Sequence, residues 1–137
     1  MTRRMSCSLT TPAVRARTKT VTRRHVDSWR DLKPSDELVL IEKGMGLPKG
    51  ARQVVLARVL VDDVRVEPLG RILDEGPEGV AREGLDMTPA EFVRFWQQSH
   101  GYPLSIPFYE ALQIPCRRIE WHYPDDIELG NEEGTDG

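Results

Sequence analysis

The run Arg17-Thr18-Lys19-Thr20-Val21-Thr22-Arg23-Arg24 constrains this chain more than any other segment. In a strand, Lys19, Val21 and Arg23 point one way, and Thr18, Thr20, Thr22 and Arg24 point the other. Threonine and valine favour strands through their branched Cβ atoms. A strand so rich in cations and hydroxyls is costly to bury dry. The run therefore predicts a face that looks into a wet, anion-accepting cleft. Hydroxyls and cations held on a rigid strand suit a phosphate or a polar base. They equally suit a threonine nucleophile activated by a lysine. An ideal strand sends Lys19 and Thr22 to opposite faces. They share a cleft only if the strand bends, bulges, or has Lys19 at its beginning.

Charge follows the same polarity. Residues 1–30 carry eight basic side chains against Asp27 alone, whereas residues 125–137 carry six acids and no base. The basic third predicts an anionic partner: RNA, a nucleoside or nucleotide, or DNA. The acidic end, rich in Gly and Glu, predicts a disordered, solubilising tail, with competition for the basic cleft as its other possible role. The chain has 137 residues, enough for one modest core. It divides into a domain over 1–124 and the tail over 125–137. No stretch approaches the roughly 18–20 apolar residues of a membrane span, so no membrane partner is expected. The start, Met1-Thr2-Arg3-Arg4-Met5, has no apolar segment behind it, and a cytoplasmic setting is the default expectation. Cys7 and Cys116 read as reduced, buried thiols. His25, His100 and His122 are scattered with no metal-ligand spacing, so no metal and no cofactor is expected, and the chain is expected to be monomeric.

Local pattern predicts an α+β domain. A first strand is expected over 5–9, and a short helix over 13–17 behind Thr10 and Pro12. A basic strand over 19–24 follows, then one helical turn over 27–32 anchored by Trp29. Residues 32–36 form a turn and 37–43 a strand. Residues 44–50 hold three glycines in a spacing that matches no phosphate-binding loop. The β-branched run 53–61 continues over 64–67, and Asp62-Asp63 predicts a bulge or bend between them. Segments 68–73 and 77–82 read as helical or turn-like. Thr88-Pro89-Ala90-Glu91 is a capping box opening a helix that Gly101 ends, with Phe92, Val93, Phe95 and Trp96 on its core face. A Pro-rich loop over 101–115 leads to a closing strand over 117–123.

Three pieces in order resemble an ASCH domain of the PUA-like superfamily. They are R-T-K-T-x-T-R at 17–23, L-K-x-x-D at 32–36, and A-R-E-G-L-D-M-T-P-A-E-F at 81–92. The closing Arg118-Ile119-Glu120-Trp121-His122-Tyr123 is similar to that family's last strand, V-x-x-I-x-F. The turn departs from the usual L-K-x-G-D by placing Ser35 at the glycine. The loops at 44–50 and 101–115 resemble a subgroup common in actinobacteria and their phages. The resemblance covers about residues 5–124. It implies a small, partly closed β-barrel with flanking helices and a basic cleft for RNA or modified nucleosides. Some relatives are amidohydrolases that deacetylate acetylcytidine, and their Lys-Thr-Glu trio falls on Lys19, Thr22 and Glu83. Others are reported as ribonucleases.

Three readings follow. In the first the domain binds RNA or a modified base, with Arg17, Thr20, Thr22, Arg23 and Arg24 at the cleft and Trp29 or Trp121 stacking on a base. In the second it is a hydrolase for an acylated cytidine-type nucleoside: Thr22 attacks, Lys19 is the base, and Glu83 gives a proton to the leaving amine. In the third it is a regulatory protein that engages another protein through its acidic tail.

Overall fold

The computed structural model describes residues 2–43 and 49–124. The glycine-rich stretch 44–48 and the acidic tail 125–137 lie outside the described residues. The fold is α+β: a curled five-stranded half-barrel sheet with helices against it. Its strands are β1 (Thr2–Ser6), β2 (Val21–His25), β3 (Glu37–Ile41), β4 (Val55–Pro68) and β5 (Pro115–His122). Its helices are α1 (Thr11–Arg15), α2 (Arg71–Arg82), α3 (Pro89–Ser99) and α4 (Phe108–Ala111). The strand order is β1-β3-β4-β5-β2, with β1 parallel to β3 and the other pairs antiparallel.

β4 makes the sheet curl. Its first half pairs with β3 and its second half with β5. The register against β5 slips between Val61 and Asp63, at the expected Asp62-Asp63 bulge. A bulge bends and twists its strand, so one long strand serves both halves of the partial barrel. The first strand, by contrast, runs over 2–6 rather than 5–9. Ser8–Thr10 is a 3₁₀ turn leading straight into α1, whose N-terminal Pro12 fits the helix start. Residues 26–31 are turns and not a helical turn, because Trp29 sits at φ 60°. The loop before β5 contains the short α4.

Two cores flank the sheet. One gathers Met5, Val14, Leu38, Leu40, Val59 and Trp121; the other packs Leu69, Ile72, Val80, Phe92, Val93 and Trp96 between helices and sheet. Cys7 and Cys116 are free thiols, one in each core. α3 begins with the expected capping box: Thr88 Oγ1 accepts from Glu91 N at 3.1 Å, and Glu91 Oε1 accepts from Thr88 N at 2.8 Å. Gly101, at φ 79°, ends it.

Ser35 takes the left-handed backbone, φ 79°, that glycine normally supplies at this turn. The turn is nonetheless tied down. Ser35 N donates to Val61 O at 2.8 Å, and Asp36 Oδ2 accepts from Lys33 N at 3.0 Å. An L-residue strained here predicts that Ser35→Gly stabilises the protein. The relief of about 1–2 kcal/mol, less glycine's entropy cost, leaves a gain of about 0.5–1 kcal/mol. Thermal unfolding should show a rise of roughly 2–4 °C; an unchanged or lower midpoint would mean the turn is not strained.

Candidate functional site

A cavity of about 250 Å³ opens where the two cores meet. β2 and the residues leading into it line it with Lys19, Thr22, Arg23 and Arg24, α3 and its C-cap with Phe92, Phe95, Trp96 and His100, and the α2–α3 connection with Glu83. Five of the residues singled out in the sequence therefore meet: Lys19, Thr22, Arg23, Arg24 and Glu83. Four do not line the cavity. Arg17 is exposed, with its guanidinium 5.8 Å from the Tyr123 ring. Thr20 is held by its backbone between Arg82 O and Trp121 N. Trp29 packs under Arg3, 4.4 Å from ring to guanidinium. Trp121, at 1 % exposure, is a core residue and presents no face to a ligand.

The conflict of faces is resolved at the start of the strand. β2 begins at Val21, so Lys19 precedes the regular alternation. Its carbonyl is clamped by Trp121 Nε1 at 3.0 Å and Tyr123 Oη at 2.6 Å. Its side chain, 4 % exposed, then folds over its own strand. Nζ donates to Val21 O at 3.0 Å and to Glu83 O at 2.5 Å, while Glu83 Oε1 lies 3.9 Å away. Burial pulls the Lys19 pKa below the ordinary lysine range. Glu83 opposes that pull, and Arg24 and Arg23 add to it.

Thr22 is 4 % exposed and its Oγ1 accepts from Arg24 Nε at 2.9 Å. A hydroxyl that accepts keeps its own proton for another partner. Arg24 reaches on to Ser6 O at 2.9 Å, linking β2 to the end of β1. A cation beside the hydroxyl oxygen stabilises negative charge developing there.

Arg23 faces the other way and plays a different part. Its side chain is fully buried among three carboxylates: Glu83 Oε2 at 2.7 Å, Glu67 Oε2 at 3.2 Å and Glu75 Oε2 at 2.5 Å. Glu75 also accepts from Arg118 Nε at 3.1 Å, and Glu67 from Arg65 Nε at 2.8 Å. Burial works against the Arg23 charge, but Glu83, Glu75 and Glu67 outweigh it and its pKa rises. Burial likewise works against the Glu75 carboxylate, and Arg23 and Arg118 outweigh it, so that pKa falls. Arg23 is thus a positioning residue that anchors Glu83, and its charge is already matched. Glycines shape this anchor. Gly76, at φ 73°, breaks α2 so that Glu75 precedes the kink. Gly84, at φ 89°, turns the chain just after Glu83, where a Cβ would stand 3.0 Å from Ala13 Cβ.

Sequence reasoning missed Glu67, Glu75 and His100. The first two reach Arg23 from β4 and α2, and no local spacing signals that meeting. Among the described residues there is no cluster of His, Cys, Asp and Glu fit to hold a metal ion, and no helix long and apolar enough to cross a membrane.

No family model and no curated protein matches this chain. Among solved structures it is similar to hypothetical protein PH0355, with a TM-score of 0.56 and 19 % identity over 90 % of this chain and all of that one. It is also similar to protein EF3133 from Enterococcus faecalis V583, a DUF984 protein. There the TM-score is 0.55 and the identity 15 %, over 90 % of this chain and 79 % of the other. At these identities the likeness speaks for the fold alone.

Proposed function

We propose that this chain is an ASCH-type, PUA-like amidohydrolase that removes an acyl group from the exocyclic amine of an acylated cytidine-type nucleoside. One observation carries the reading. Lys19 Nζ has two carbonyl acceptors, Val21 O and Glu83 O. A neutral amine has two N–H bonds and one lone pair. In that form the two hydrogens satisfy the two carbonyls and the lone pair serves Thr22, which lines the same cavity; the ammonium form adds a third hydrogen, with Glu83 Oε1 3.9 Å away. A buried lysine with a lowered pKa is the base a threonine nucleophile needs.

The chemistry then runs in two halves. Thr22 Oγ1 attacks the acyl carbon as Lys19 Nζ takes the hydroxyl proton. Glu83 Oε1, 3.9 Å from Nζ, stabilises the ammonium that forms. Breaking the carbon–nitrogen bond leaves the acyl group as an ester on Thr22, and Lys19 returns its proton to the departing exocyclic amine. With Arg23 occupying Glu83 Oε2, Lys19 is the nearer proton source. In the second half Lys19 deprotonates a water that attacks the ester. This releases the carboxylic acid and restores the Thr22 hydroxyl.

A grip on a long polyanion is less well supported. Arg23 is matched by three carboxylates, which leaves Arg24, hydrogen-bonded to the neutral Thr22 Oγ1 and Ser6 O, as a single cation and not the row a phosphate backbone needs. The cavity volume falls below the ~300–1,000 Å³ of drug-sized sites, which suits one base better than an oligonucleotide. The reading through the acidic tail rests on residues outside the described ones. The test is cytidine release from acetylcytidine and a panel of acylated nucleosides, beside Thr22→Ala. Turnover is expected to fall by at least about 10³-fold in the variant, with ligand affinity within about twofold. Turnover unchanged in Thr22→Ala, or none by the wild type on any panel member, overturns the reading.

A further inference from the structure

His100 lines the same cavity, yet the mechanism above leaves it unused. Its setting is built with care for one nitrogen. Trp96, one turn earlier on α3, is fixed by its Nε1 donating to Arg23 O at 2.8 Å. The imidazole stacks on that indole, with centroids 4.0 Å apart and planes 16° apart. His100 Nδ1 lies 2.9 Å from Trp96 O and 3.1 Å from Ser99 Oγ. A carbonyl oxygen only accepts, so with the Ser99 hydroxyl hydrogen on Trp96 O the short contact assigns the ring hydrogen to Nδ1. In the neutral ring that leaves Nε2 as a bare acceptor. With Ser99 Oγ donating to Trp96 O at 3.2 Å, its oxygen is left to accept from Nδ1.

Burial biases the ring toward its neutral form. Burial disfavours the imidazolium and lowers the pKa; Trp96 O opposes this, while Arg24 and His25 on β2 add to it. The other titratable groups lining the cavity are Cys7, Lys19, which the mechanism above uses as a neutral amine, Arg23, whose charge its three carboxylates match, and Glu83.

Resting on the nucleoside reading, we propose that His100 is the residue that selects the base. Held flat on Trp96, it accepts at Nε2 a hydrogen bond from an exocyclic amino or amide N–H of a planar pyrimidine. The ligand class is thus an aminopyrimidine nucleoside, and a base without such a donor leaves Nε2 desolvated and unpaired. One hydrogen bond of this kind is worth up to about tenfold in affinity.

The test reads binding and not turnover. Calorimetry compares cytidine with the pyrimidin-2-one ribonucleoside, which lacks the amine, on the wild type and on His100→Phe, which keeps an aromatic ring without nitrogen. The wild type is expected to prefer cytidine about tenfold, and His100→Phe to bind both within about twofold of each other. The wild-type preference should also fade as pH drops and Nε2 gains a proton, in the acidic direction from the ordinary histidine value of ~6.5. A cytidine preference retained in His100→Phe, or one insensitive to pH, overturns the assignment and leaves the hydrolase reading standing. Cytidine preference that follows His100 in a protein with no turnover supports the assignment and overturns the hydrolase reading. Binding of neither nucleoside by the wild type overturns the assignment, while turnover on the acylated panel still decides the hydrolase reading.

Discussion

Lys19→Met is expected to reduce turnover of an acylated cytidine by about 10²–10⁴-fold, the usual worth of a positioned base. Methionine is close to lysine in length and apolar, so the buried stem keeps its packing. Two carbonyls, Val21 O and Glu83 O, lose their donor, which costs about 1–3 kcal/mol for each group left unpaired. The variant should therefore fold with a lower melting point and almost no activity. The pH dependence separates loss of the base from mere loosening. In the wild type kcat/KM should climb with pH as Lys19 sheds its proton, and level off below the ordinary lysine value of 10.5. The residual rate of Lys19→Met should lack that limb. Stability carries the same signature with a definite sign. The native pKa is lowered, so between it and the unfolded value the unfolded chain binds more protons. Wild-type stability then rises with pH across that window. A wild-type rate that is flat through this range would remove Lys19 as the base.

Arg23→Met is expected to cost about 3–5 kcal/mol, because it strands Glu67, Glu75 and Glu83 around an empty buried charge. In thermal unfolding that is a fall of roughly 10–20 °C. Glu75 gives the acid side of the same argument. Its native pKa is lowered, so its contribution is present above the unfolded carboxylate value and is lost as pH falls through the native one. The wild type should lose stability on acidification in that window. Arg23→Met, with its carboxylates repelling one another, should lose far less there and gain from mild acid. A cleft cation used on a polyanion would behave differently, lowering affinity with a steep salt dependence and sparing the melting point. An unchanged melting point in Arg23→Met would return Arg23 to that role.

Much of the fold was legible because its signals are local. The α3 capping box needs only Thr88 and Glu91, and the β4 bulge only the Asp62-Asp63 interruption of a β-branched run. Lys19, Thr22 and Glu83 were legible as a trio through the family resemblance, and the strand starting at Val21 supplies the geometry that periodicity alone denied them. What the sequence hid is non-local. Glu67, Glu75 and Arg118 are ordinary surface-type residues in the sequence, and become partners of Arg23 or its carboxylates only when β4, α2 and β5 converge. The first strand was misplaced because Thr2-Arg3-Arg4 carries no apolar alternation. Its strand character comes from pairing with β3, a tertiary effect. Trp29 read as a helix anchor because no propensity announces a bulky residue at positive φ.

The claim on which the account turns is that Lys19 gives up its proton below the ordinary lysine range. Side-chain NMR of the lysine amines, followed through alkaline and neutral pH, with Lys19→Met used to assign the signal, tests it directly and without a substrate. The account predicts that Lys19 Nζ loses its proton well below the ordinary lysine range, in step with the rising limb of kcat/KM. An ammonium at Lys19 that persists to about pH 10.4 would contradict it.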